Sequence, residues 1–183
     1  MTRLFVAAWP TPDVVEALSD IARPPEHGVR WVPPSNWHIT LRFVGEADVA
    51  DAADLTERLA AVTLPRPLAR LGPTIEQLGQ RQVVVPVEGV DALAEVVRSA
   101  TGAIGEPDRH RFHGHLTIAR LGSGAGASVV GSPFRAEFEV AEIVIVASDL
   151  RQDGAVYTTL ARFPTTRFDP VSRGDRRSRS RPS

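Results

Sequence analysis

One short pattern occurs twice in this chain, and no other feature constrains its fold so strongly. It reads Trp37-His38-Ile39-Thr40-Leu41-Arg42-Phe43-Val44 and, later, Gly114-His115-Leu116-Thr117-Ile118-Ala119-Arg120. In an extended strand successive side chains point to opposite faces, so a His-x-Thr triplet sets imidazole and hydroxyl side by side on one face. The other face reads Ile39, Leu41 and Phe43 in the first copy, and Leu116 and Ile118 in the second. Each strand therefore has an apolar side to bury and a polar side that carries its His and Thr. One such triplet means little on a half-exposed strand. Two copies, each followed by apolar residues and an arginine, point to a pair of related half-sites.

Such a pair suits displacement at phosphorus. The nucleophile enters on one side of the phosphate and the leaving oxygen departs on the other, so a proton acceptor and a proton donor are needed on opposite sides. Imidazole titrates near pH 6.5 and can hold either form at neutral pH. His38 and His115 are the candidates, with Thr40 and Thr117 as hydrogen-bond donors to the non-bridging oxygens. Alternation sets Arg120 on the face opposite His115 and Thr117, so a phosphate-binding role for it requires a strand end or a bulge. Arg42 has the parity of His38 and Thr40, and a salt bridge is its competing use.

Composition excludes several other chemistries. The chain has no cysteine, which removes disulfides, thiolate nucleophiles and Cys-based zinc sites. All 21 basic residues are arginine, so Schiff-base chemistry and a P-loop lysine are absent too. The segment after Asp169 holds five arginines and one acid; the remainder keeps 16 arginines against 21 acids, a net of −5. A body of that sign is a poor general polyanion binder, so any nucleic-acid contact must be confined to a cleft that gathers arginines. No apolar run approaches the roughly 20 residues that span a bilayer, and the start lacks a secretory leader, so the expected location is cytoplasmic.

Periodicity and turn signals predict a strand over Leu4 to Trp9, then a helix with Thr11 as N-cap and Pro12 at its first position. Glu26 to Asn36 reads as loop. A second helix carries Ala52, Leu55, Leu59 and Val62 on one stripe, and a third carries Leu93, Val96, Val97 and Ala100. Strand-like stretches at Leu68 to Leu78 and Gln82 to Val87 meet at Gly79-Gln80-Arg81 as a hairpin. Gly122 to Ser132 reads as a flexible loop, and two strands, Ala136 to Val146 and Ala155 to Phe163, end the folded part. Hairpins and meanders dominate, giving an α+β class with mainly antiparallel sheet. One domain over 1–169 and a disordered arginine-rich tail over 170–183 are expected.

Beyond the two triplets, Arg3-Leu4-Phe5-Val6-Ala7-Ala8-Trp9-Pro10, Arg30-Trp31-Val32, Phe112-His113, Ser148-Asp149-Leu150 and Tyr157 complete a pattern. It resembles the 2H phosphoesterase superfamily, and within it the RNA 2′,3′-cyclic phosphodiesterase (LigT-like, 2′-5′ RNA ligase-like) family. The resemblance implies two pseudo-symmetric lobes of mainly antiparallel sheet around a central cleft. It implies His38 as proton donor, His115 as proton acceptor, and Thr40, Thr117 and Arg120 on the phosphate, with no metal or cofactor. The implied reaction converts a terminal 2′,3′-cyclic phosphate of RNA to a 2′-phosphomonoester, with reversible 2′-5′ ligation as a second activity of a monomer. Gly114 departs from the family's proline before the second histidine, which would loosen the approach to His115.

Aromatic residues near the motifs, Trp31, Trp37 and Phe112, are candidates for stacking on a base, with core packing as the alternative, and more so for Phe5 and Trp9. Three other readings compete. His110-x-x-His113-x-His115 offers metal-ligating imidazoles, though not in a strong zinc spacing and without using His38. A noncatalytic nucleotide- or RNA-binding module would not need both His-Thr pairs. A phosphodiesterase for 2′-5′ oligonucleotides or other small cyclic phosphates would.

Overall fold

The computed structural model describes residues 2–108, 111–151 and 154–167. The arginine-rich segment 170–183 and His110 lie outside them. In chain order the elements are β1 (Thr2–Ala8), α1 (Pro12–Ser19), β2 (Val29–Trp31), a 3₁₀ turn (Pro34–Asn36), β3 (Ile39–Ala47), α2 (Val49–Ala60), β4 (Leu68–Leu71), β5 (Glu76–Leu78), β6 (Gln82–Glu88), α3 (Asp91–Thr101), β7 (His115–Leu121), β8 (Ala136–Glu139), β9 (Glu142–Arg151) and β10 (Gly154–Pro164). All strands pair antiparallel, which bears out the α+β reading. None of the described helices is long and apolar enough to cross a membrane.

The sheet order is β10-β9-β1-β3-β7-β6-β4-β8, with β2 added to β7 and β5 to β6. It divides at the β3–β7 junction into two arms, one of four strands and one of six, with the motif strands meeting at the junction. That junction is a single paired position, Ile39 opposite Leu116. Beyond it the motif strands part, and each free edge is covered from elsewhere. β2 pairs with β7 at Ala119 to Leu121, while the Glu106 N–H bonds to Val44 O on β3 at 2.8 Å. Two arms diverging from one point leave a cleft on the face where the histidines emerge.

The apolar faces obey the burial logic of amphipathic elements. Leu18 of α1, Leu55 and Leu59 of α2, and Leu93 and Val97 of α3 are buried with Leu4, Ile39, Leu116 and Ile118 in one core on the helix side of the sheet. α3 lies on β3 and α1 against β8, so helices from each arm pack on the other and hold the two together. Asp48 caps α2 by accepting from the N–H groups of Ala50 and Asp51, and the Asp51 carboxylate returns the bond to Asp48 N.

Three local departures from the sequence reading have physical causes. Leu68 to Leu78 is not one strand, because Gly72-Pro73 breaks it between β4 and β5. Val29 to Trp31 is a strand, since its backbone completes the edge of β7. The 122–132 segment is held rather than loose: Ser128 donates from N and Oγ to Glu26 at 2.9 and 3.0 Å, and Ala127 and Val129 are buried.

Candidate active site

His38 sits one residue before β3 and His115 opens β7, and both rings are anchored alike. His38 Nδ1 lies 2.7 Å from Asn36 O, and His115 Nδ1 lies 2.7 Å from His113 O. A carbonyl only accepts, so each Nδ1 carries the proton and each Nε2 is left for the cleft. Asn36 is fixed in turn by its side-chain amide, which donates to Ala155 O at 2.9 Å. Continuing the antiparallel register one residue each way from Ile39–Leu116 sets Thr40 opposite His115 and Thr117 opposite His38. All four therefore lie on the face opposite the main core.

A β-bulge in each motif strand decides the fate of its arginine. On β3 the pairing with β1 steps from Thr40 to Arg42, passing over Leu41. The extra residue reverses the alternation, so Leu41 and Arg42 are both buried and Phe43 turns out, 48% exposed. The equal parity of Arg42 with His38 therefore does not hold: its guanidinium donates to the Thr101 and Ile104 carbonyls and pairs with Asp108 at 3.6 Å. Phe43 likewise does not join Ile39 and Leu41 on the apolar face.

On β7 the pairing with β6 steps from Thr117 to Ala119, passing over Ile118. Ile118 and Ala119 are buried in succession and Arg120 emerges on the His115 face. These two bulges each fall three residues after the histidine, and β3 carries a further shift at Val44. They leave Arg120 in one arm and Phe43 in the other, each five residues after its histidine. The charge of Arg120 reaches both the His38 ring and Tyr157.

The two imidazoles have unlike surroundings. Phe5 stacks on the His38 ring at 4.8 Å between centroids, and Tyr157 and Trp9 meet it edge-on at 5.3 and 5.7 Å. Phe5 and Trp9, which read as core residues, thus wall a catalytic candidate; with Ala7, Val144, Val146 and Tyr157 they form a second small apolar cluster. Burial pushes the His38 imidazole down to about 4; its Asn36 bond opposes this, and the charges of His115 and Arg120 add to it. Burial also holds His115 below its ordinary value, against its bond to His113 O and together with the His113 charge.

A stability signature follows. Between about pH 6.5 and 4 the unfolded chain binds a proton that half-buried His38 refuses, so its contribution to stability is level above 6.5 and falls on acidification. His38 alone accounts for about 3 kcal/mol of that loss. Urea unfolding of His38→Phe should show a flatter decline from pH 7 to 4.5 than the parent. An unchanged decline would contradict the burial of this ring.

Other residues fall into place around this centre. Thr117 Oγ1 lies 3.2 Å from Gln82 Oε1, a contact that His-x-Thr spacing cannot reveal because Gln82 enters from β6. Gly114 is tightly packed rather than loose, since a Cβ there would stand 2.3 Å from Val87 O. Trp37 is buried under the Arg23 guanidinium, and Trp31 and Phe112 pack on the core, so none of the three lies free. Arg3, Phe43, Glu46, Gly105 and Glu106 line a cavity of about 640 Å³ beside β3. Among the described residues no three His, Asp or Glu side chains cluster as a metal site would require.

Comparison with known proteins places the chain among phosphoesterases of one fold. A family model described as LigT like Phosphoesterase matches residues 9–72. An RNA 2′,3′-cyclic phosphodiesterase of Aeropyrum pernix is 31% identical over 147 residues, which cover 72% of this chain and 84% of that protein. One from Thermus thermophilus is 32% identical over 178 residues, covering 88% of this chain and 89% of that one. The crystal structure of E. coli LigT complexed with NADP+ has a TM-score of 0.75 at 26% identity, covering 91% of this chain and 99% of its own.

Proposed function

The chain belongs to the LigT-like phosphoesterase family, and from that we propose that it hydrolyses the 2′,3′-cyclic phosphate at an RNA end to a 2′-phosphomonoester. The observation that carries this reading is the matched anchoring of the two imidazoles, each tied through Nδ1 to a carbonyl with Nε2 toward one cleft. The names of the Aeropyrum and Thermus relatives supply the substrate class.

Water attacks phosphorus in line while His115 Nε2 takes its proton. The bond from phosphorus to the 3′-oxygen breaks, and protonated His38 gives its Nε2 proton to that oxygen. Thr40, Thr117 and Arg120 hold the non-bridging oxygens as charge gathers on them, at the point where hydrogen-bond donors contribute most. Both proton transfers use protein groups, so no step calls for a metal-bound hydroxide. With a 5′-hydroxyl in place of water the same sequence joins a 2′-5′ linkage, and the reverse cleaves it.

The donor role asks His38 to hold a proton that burial and Arg120 discourage. The bound cyclic phosphate is an anion, and its charge beside the ring opposes both effects. In the free enzyme one ring must be charged and the other neutral, and both titrate below 6.5. We expect kcat/KM for a nucleoside 2′,3′-cyclic monophosphate, assayed in excess chelator, to be greatest on the acid side of pH 6.5 and to fall at higher pH. Complete loss of activity with chelator, or a rate that climbs steadily to pH 9, would overturn the two-histidine mechanism.

A further inference from the structure

Arg30 has no part in the chemistry above, yet its placement is specific. On β2 it pairs directly with Arg120 of β7, and directly paired residues project from the same face. Burial agrees: Val29 and Trp31 pack toward the core while Arg30 is exposed, as Arg120 is between buried Ala119 and Leu121. Two guanidinium groups thus rise side by side from backbones about 5 Å apart, with Arg30 on the edge of β7 that faces β3 rather than the edge held by β6. No described carboxylate forms an ion pair with either.

The opposite arm has the contrary character. At the position matching Arg120 it presents the Phe43 ring, and the neighbouring cavity carries Glu46 and Glu106 against Arg3, whose direct cross-strand partner is Glu46. A polyanion is disfavoured there and favoured along Arg120 and Arg30. In a chain whose body is net acidic, this pair is the local gathering of arginines that a nucleic acid needs.

We propose that Arg30 is a subsite for the phosphodiester on the 5′ side of the terminal nucleotide, so that the cleft selects an oligonucleotide end over a cyclic mononucleotide. This rests on the cyclic-phosphate reading. Arg120 binds the cyclic phosphate, the terminal ribose spans the two strands, and the next phosphate meets Arg30. The strand then leaves the site over β2.

The test compares a dinucleotide ending in 2′,3′-cyclic phosphate with the corresponding nucleoside 2′,3′-cyclic monophosphate that bears a free 5′-hydroxyl. Wild-type enzyme should prefer the dinucleotide, and Arg30→Ala should lower kcat/KM for it about tenfold, bringing the ratio of the two substrates toward one. For the dinucleotide, the slope of log kcat/KM against log salt should become shallower by about 0.7, the value of one single-strand phosphate contact. Arg30→Lys should retain most of that slope. If wild-type enzyme turns over both substrates and Arg30→Ala lowers both equally, or neither, the subsite is refuted while the reaction stands. If wild-type enzyme turns over neither, the cyclic-phosphate reading falls and takes the subsite with it.

Discussion

Replacing His38 or His115 by glutamine is expected to lower kcat on a 2′,3′-cyclic phosphate at least about 100-fold, because each proposed proton transfer contributes roughly 10² to 10⁴. Glutamine keeps a donor near the anchoring carbonyls of Asn36 and His113, and it avoids opening a hole among Phe5, Trp9 and Tyr157. The two losses should not multiply in the double variant, since groups that act in one transition state fail together. Leaving-group chemistry separates the roles. An activated aryl phosphodiester departs without protonation, so it should restore turnover to His38→Gln and not to His115→Gln. The reverse pattern would exchange donor and acceptor. Normal turnover of the cyclic phosphate by either folded variant would remove that residue from the mechanism.

The second large effect is on stability. Arg42 is 2% exposed and reaches from β3, in one arm, to the C-terminal end of α3, in the other. There its guanidinium donates to the Ile104 carbonyl and, beside the Ile104 N–H, to the Thr101 carbonyl. Arg42→Ala removes its donors from the Ile104 and Thr101 carbonyls, leaving Thr101 O only its bond from Ile104 N, and opens a hole, while Asp108 keeps Arg98 at 3.0 Å. A loss of about 3 kcal/mol is expected, the scale for breaking a buried, hydrogen-bonded charge site. It is read as a lowered urea midpoint at unchanged slope. Turnover per folded molecule should fall less than tenfold, whereas Arg120→Ala should show the opposite division, with stability intact and activity lost. A loss below about 1 kcal/mol for Arg42→Ala would contradict the role of Arg42 as a tie between the arms.

That contrast also marks the limit of what the amino-acid order discloses. His38, Thr40, His115 and Thr117 were legible because simple alternation holds over three residues, and the helices were legible because their apolar stripes repeat at helical spacing. Alternation fails at Leu41 and Ile118, where a bulge inserts one residue and reverses the faces that follow, until in β3 a second shift at Val44 reverses them again. The arginine with the right parity, Arg42, is consequently buried, and the one with the wrong parity, Arg120, faces the cleft. A bulge is a relation between neighbouring strands, and its position depends on β1 and β6, which are distant in sequence. Gln82, Phe5 and Arg30 were hidden for the same reason, since cross-strand pairing brings each of them to the cleft. Asp48 is different: a capping aspartate ahead of an apolar stripe is a local signal.

The most direct measurement follows phosphorus itself. An RNA oligonucleotide ending in 2′,3′-cyclic phosphate, incubated with the enzyme in excess EDTA, can be monitored by ³¹P NMR to identify the phosphomonoester formed. The account predicts a 2′-phosphomonoester alone, and none when His38 and His115 are both glutamine. A 3′-phosphomonoester product, or continued turnover by the double variant, would contradict it.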